Sequence, residues 1–165
     1  MDLRLLSHLH MPEFSKKKIE TYYASLGRFV TVWAQVELFV DLLVVILAKP
    51  DLPQQLSRKL SIIRKKLKSS QSPHASAIIQ LLEEIETLSD TRHDYVHGSI
   101  IGQVATRSEL TVTLARLLQP RSRPRRTPAR ITAAQIDRTA GRLHEIGEEL
   151  LDLVEAVNND RQIVH

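Results

Sequence analysis

The segment Arg92-His93-Asp94-Tyr95-Val96-His97-Gly98 gathers the side chains best suited to chemistry. Arginine is a permanent cation with five donors, and histidine titrates near neutral pH, so Arg92, His93 and His97 together could bind an anion and move protons beside it. Phosphodiester cleavage without a metal asks for such a set: a base for the attacking hydroxyl, an acid for the leaving oxygen, and a cation for the charge that develops between them. His93 and His97 stand four residues apart, which on a helix places them one turn apart on the same side. Asp94 reads as a solvated or orienting residue and Tyr95 as packing.

A helix must position these groups. The stretch from about His74 to His97 repeats Ile78, Leu81, Leu82, Ile85 and Leu88 at helical spacing. On a wheel of about 100° per residue with Ile78 at zero, Arg92 falls near 320° and Val96 near 0°, which puts Arg92 on the apolar face. A buried guanidinium needs a carboxylate, an interface or a bound anion. Glu37 lies among Trp33, Val40 and Val44 and also falls on an apolar stripe, so the expected partner is a Glu37–Arg92 bridge. That bridge alone is the purely structural reading of both residues. Gly98 is expected to stop the helix.

Around it the spacing predicts a mainly α fold: a small bundle of four or five helices with a short β-hairpin before the last one. Residues 15–48 read as one long helix, or two joined near Gly27. Residues 53–69 form a second, with Leu56, Leu60, Ile63 and Leu67 on one side and Arg58, Lys59, Arg64, Lys65, Lys66 and Lys68 largely elsewhere. Alternation in Leu110-Thr111-Val112-Thr113-Leu114 suggests a strand that pairs with Ile100 to Ala105, a hairpin over about 99–116 whose turn at Thr106 to Glu109 lacks glycine. About 119–131, with Arg121, Arg123, Arg125 and Arg126 interleaved with prolines, is expected to be a mobile basic loop. Thr132 and Gln135 make a capping box for a final helix with Ile136, Leu143, Ile146, Leu150, Val154 and Val157 as its stripe.

Length and composition narrow the function classes. A chain of 165 residues, 42% hydrophobic, suits one domain, taken as 1–165. The absence of cysteine excludes disulfides, thiolate zinc sites and cysteine nucleophiles, and suits a reducing cytoplasm. Met1 to His8 carry neither a basic stretch nor a long apolar run, so no export signal is expected. Phe29 to Ala48 approaches membrane-spanning length, but Gln35, Glu37 and Asp41 interrupt it, so it reads as a core helix and no membrane association is expected. No Walker loop, dinucleotide fingerprint or nucleophile elbow occurs, and His8, His10, His74, His144 and His165 lack metal-ligand spacing, so neither metal nor cofactor is expected. A net charge of +4 favours polyanionic partners; Lys65, Lys66 and the four arginines of the loop are candidates to follow an RNA backbone. Aromatic content of 4% leaves little for base stacking.

An arginine followed by a polar residue and, after Asp94-Tyr95-Val96, by His97-Gly98 resembles the motif of the HEPN superfamily. Arg4 to His10 and Arg138 to His144, with five residues between them where Arg92 and His97 have four, also fall within the family's range, but Leu5 and Thr139 stand where the motif often has Asn, Asp or His. The resemblance covers about 15–98 and 132–158. It implies a dimeric helical bundle, a metal-independent RNase of the kind found as toxins and phage-defence effectors, and an antitoxin or other neutralising partner. It also implies that Arg92 and His97 line a dimer cleft near the same pair of the other subunit, Arg92 for charge and His97 for proton transfer, with His93 orienting the phosphate or assisting. The alternative is a non-catalytic module of the same shape that binds a nucleotide, RNA or a partner protein.

Overall fold

The computed structural model describes residues 13–48, 52–106, 108–115 and 129–163. Among them the order is α1 (Glu13–Ala48), α2 (Leu56–Lys68), α3 (Ala75–His97), β1 (Ser99–Ala105), β2 (Leu110–Ala115), β3 (Ala129–Thr132) and α4 (Ala133–Ile163). The fold is mainly helical, with a small antiparallel sheet before the last helix.

The helices pack as a closed circuit, α1 on α2, α2 on α3, α3 on α4 and α4 back on α1, the α1–α4 seam being the most extensive. The stripes read from the sequence supply the core: Phe29, Val36, Val40 and Leu43 from α1, Leu60, Ile63 and Leu67 from α2, Ile78, Leu82 and Ile85 from α3, and Ile136, Leu143, Ile146 and Leu150 from α4 are almost wholly buried. Each such side chain contributes roughly 1.5–3 kcal/mol through the water it sheds. α1 is a single helix through Gly27, whose missing side chain faces open space. Gly147 of α4, by contrast, sits where a Cβ would touch Val36 and Phe39, so the seam can close there.

Two features depart from expectation. The sheet has three strands, ordered β1-β2-β3, where a two-stranded hairpin was expected. Ala129 to Thr132, expected as the end of a basic loop and a helix cap, pair with β2, with Ile131 opposite Val112 and both buried. One buried isoleucine between polar neighbours was enough for a strand once β2 offered its free edge. Arg121, Arg123, Arg125 and Arg126 lie outside the described residues. The β1–β2 turn closes without glycine because Thr106 serves as its turn residue: its backbone N–H donates to the Glu109 carbonyl at 2.8 Å, and its hydroxyl accepts from the Glu109 N–H at 3.1 Å. Ile101 is an extra residue in β1, a bulge between Ile100 and Gly102.

The second departure is Lys59, expected on the solvated side of α2. It is 9% exposed and its ammonium pairs with the Asp41 carboxylate of α1. Asp41, one turn beyond Glu37 on the apolar helix α1, supplies the charge that lets a lysine stem lie in the α1–α2 interface. Capping of α4 follows the sequence: Thr132 N–H donates to Gln135 Oε1 at 2.8 Å and Gln135 N–H donates to Thr132 Oγ1 at 3.3 Å.

Candidate functional site

The last turn of α3 leaves the core. Ile78 and Val96 share a direction on the helical wheel, yet Ile78 is 0% and Val96 38% exposed. Arg92, expected to be core-facing, is only half-buried. Past Leu88 the covered side of α3 shifts from the direction of Ile78 toward Tyr95, which still meets α1 and α4, and Val96 is left exposed.

Arg92 Nη1 stands 3.1 Å from His97 Nε2. A guanidinium can only donate, so His97 Nε2 accepts, and the neutral imidazole carries its proton on Nδ1. His93 is exposed on the same side, its ring centroid 4.9 Å from that of His97 and its plane tilted by 56°. One helix end thus presents a cation, an acceptor nitrogen directed at it and a second imidazole within a ring's width. Asp94 is half-buried and its carbonyl accepts from Gly98 N–H at 3.0 Å, closing the helix.

The expected Glu37–Arg92 bridge is not formed. Glu37 Oε1 accepts from Trp33 Nε1 at 2.7 Å, one turn back on the same helix. That local bond satisfies a half-buried carboxylate and the only indole N–H of the chain together, so neither needs α3. Arg92 turns instead to His97, five residues further along its own helix.

Behind the pair lies an aromatic wall that the sequence identified only as packing. Tyr95 meets Phe29 of α1 edge-on, centroids 5.0 Å apart, and its hydroxyl is 3.5 Å from Thr139 Oγ1 of α4. Tyr22, 3% exposed, completes the wall; burial, then the nearby Tyr95 and Tyr23 hydroxyls, push its phenol up to about 12. Tyr95 falls between Arg92 and His97 in sequence and packs inward on Phe29, which ties the turn that carries them to α1. α3 stops at Gly98 as expected, and the glycine there has an extended backbone, φ −67° and ψ 132°. Glycine is needed for closeness: a Cβ there would lie 2.3 Å from the Asp94 carbonyl oxygen.

Lys65 and Lys66 are exposed in the last turn of α2. Arg64 is committed to Glu86 of α3 at 2.7 Å. Arg142 of α4, which the sequence did not single out, ties Glu84 of α3 and Glu145 in a network in which the hydrogen bonds it donates, chiefly to Glu84, raise its pKa. Its i, i+3 spacing to Glu145 was visible in sequence; its reach to α3 was not. No protein-family model, curated protein or solved structure matches this chain.

Proposed function

We propose that this protein is a cytoplasmic, homodimeric, metal-independent endoribonuclease of HEPN type, serving as a toxin or phage-defence effector held in check by a neutralising partner. The observation that carries the reading is the 3.1 Å contact between Arg92 Nη1 and His97 Nε2 at an exposed helix end, with His93 beside it.

The chemistry runs on those three groups. A substrate phosphate draws the Arg92 guanidinium onto its oxygens, where two parallel N–H donors fit better than one imidazole nitrogen. His97 Nε2 is then free to take the 2′-hydroxyl proton. The 2′-oxygen bonds to phosphorus, the bond to the 5′-oxygen breaks, and protonated His93 gives that oxygen its proton, leaving a 2′,3′-cyclic phosphate and a 5′-hydroxyl. Arg92 stabilises the added charge on the phosphorane. Lys65, Lys66 and the arginines of 119–131 hold the backbone by charge, with salt-dependent affinity.

A second reading has its own support. Arg92 and His97 already satisfy one another, as a lock on a helix end would, and a non-catalytic module that binds a nucleotide, RNA or a partner protein would keep them so. Incubating purified protein with RNA in EDTA separates the two. The nuclease reading expects fragments ending in cyclic phosphate, lost in Arg92→Ala and His97→Ala; intact RNA at high protein concentration leaves the binding module.

A further inference from the structure

The small sheet has two edges, and only one of them is guarded. β3 is four residues long, carries exposed Arg130 and lies against α4. β1, the opposite edge, runs seven residues from Ser99 to Ala105 and holds neither a charge nor a proline. Charges and prolines are the usual means of keeping an edge from pairing with another chain. A bulge interrupts β1 between Ile100 and Gly102, but Gly102 to Ala105 pair with β2 in regular register. Along such a stretch every second residue turns its N–H and C=O away from β2. Among the described residues none of those groups finds a backbone partner.

β1 also overhangs the helices. Ile100, Gln103 and Ala105 lie opposite Leu114, Val112 and Leu110, and so share their face of the sheet. The three β2 residues are buried, whereas Ile100 is 42% exposed and Gln103 and Ala105 are exposed as well. On the other face Val104 is 63% exposed. α1 and α3 reach β2 and α4 reaches β3, and no helix packs comparably on β1. The strand is nonetheless held at both ends: Gly98 lies close against Leu114 at one, and Lys18 Nζ of α1 donates to the Thr106 carbonyl at the other. A fixed, uncharged edge with apolar side chains on both faces is complementary to an extended polypeptide.

We infer that β1 accepts an extended segment of a partner protein as a fourth strand, antiparallel to β1, with carboxylates at its C-terminal end over Arg92, His93 and His97. Antiparallel pairing carries the added strand from Ala105 toward Ser99, and Ser99 follows directly on the helix end that holds those three groups. The charge at that end selects the partner. Arg92 there has an imidazole nitrogen for a partner, and a carboxylate offers its guanidinium two parallel acceptors instead of one. Apolar side chains of the added strand cover Val104 on one face and Ile100 on the other. RNA would satisfy Arg92 but leave the row of N–H and C=O groups unpaired. A second copy of β1 would pair the backbone but bring no carboxylate, since β1 has none. The strand addition stands by itself; its consequence, that this edge is where the neutralising partner docks and shuts out the substrate phosphate, rests on the nuclease reading.

The test uses the full chain and a synthetic fluorescein-labelled peptide, Ser-Val-Thr-Val-Thr-Val-Asp-Glu with a free C-terminus. Fluorescence anisotropy should show saturable binding that weakens roughly tenfold or more when Lys-Lys replaces Asp-Glu, and likewise in Arg92→Ala. Val104→Glu, an exposed change that puts a like charge on the edge, should weaken it as much with helical circular dichroism unchanged. Amide hydrogen exchange at Gly102 to Ala105 should slow when the peptide is added. The inference is overturned by no binding at millimolar peptide, by binding indifferent to Val104→Glu, or by protection that falls elsewhere and leaves β1 unchanged. It is also overturned by β1 amides whose protection rises with protein concentration alone, the mark of a second copy on that edge, or by protection from an RNA oligonucleotide and not from the peptide. Where the natural sequence cuts RNA, saturating peptide should abolish the cutting, and Val104→Glu should cut normally and escape the peptide. Cutting that persists under bound peptide overturns the placement of its carboxylates. A protein that binds the peptide as described and cuts no RNA contradicts the nuclease reading and supports the added strand.

Discussion

Gly98→Ala probes how the end of α3 is held. The backbone conformation suits alanine, so the whole effect comes from contact. The added Cβ would meet the Asp94 carbonyl oxygen at 2.3 Å and Leu114 Cβ at 3.1 Å, the first short of the 3.0 Å that Cβ atoms keep. Neither neighbour can swing aside: one is backbone of the last helical turn, bonded to Gly98 N–H, and the other is 4% exposed in β2. Relief requires that the helix end and β1 part, which strains or breaks the Gly98–Asp94 hydrogen bond. Overpacking of this kind costs about 1–3 kcal/mol. In a chain of this length it lowers Tm by between about 2 and 12 °C. Gly141→Ala is the control, since that glycine is exposed in α4 with nothing within 4 Å, and it should stabilise by roughly 0.5–1 kcal/mol. Thermal melts of both variants followed by circular dichroism give the comparison, and NMR of the His97 ring reports whether the pair moves. A Gly98→Ala protein that melts with the natural sequence and leaves the His97 signals in place would refute the reasoning.

Other outcomes test other joints. Lys59→Met alone should cost about 1–3 kcal/mol by leaving the Asp41 carboxylate half-buried without its partner, and the double variant with Asp41→Leu should recover most of that in urea melts. Thr132→Ala should lose about 1 kcal/mol of α4 stability, read by denaturant midpoint. The neutral Tyr22 phenol is favoured by folding, so its contribution is complete below pH 10 and is lost as pH rises from 10 through about 12. Denaturant midpoints followed into alkaline solution should fall by about 2–3 kcal/mol more for the natural sequence than for Tyr22→Phe. Lys65→Glu with Lys66→Glu should weaken RNA binding and flatten the slope of its salt dependence by ~0.7 for each phosphate no longer neutralised, as measured by fluorescence anisotropy.

The helices were legible because each buries one stripe, and the stripes of α2, α3 and α4 lie in the core as their spacing indicates. β3 was not legible: Ile131 is the only buried residue of a four-residue strand and has no period of its own, so its pairing is a property of the free β2 edge. The candidate site was legible as a cluster but not in its arrangement. Arg92, His93 and His97 share a helix, so local spacing brings them together. The Glu37–Arg92 bridge failed because the wheel gives direction but not which side of α3 its neighbours cover, and because Trp33 lay closer to Glu37. Tyr95 and Gly98 owe their roles to Phe29, Thr139 and Leu114, which sequence separates from them.

Cleavage of RNA by the purified protein in EDTA, with Arg92→Ala and His97→Ala alongside, bears most directly on what the Arg92–His97 contact is for. The expected result is cleavage to cyclic-phosphate ends by the natural sequence and a loss on the order of 10²-fold or more in either variant, each still folded by circular dichroism. RNA left intact by the natural sequence, or cut equally by all three proteins, would contradict it.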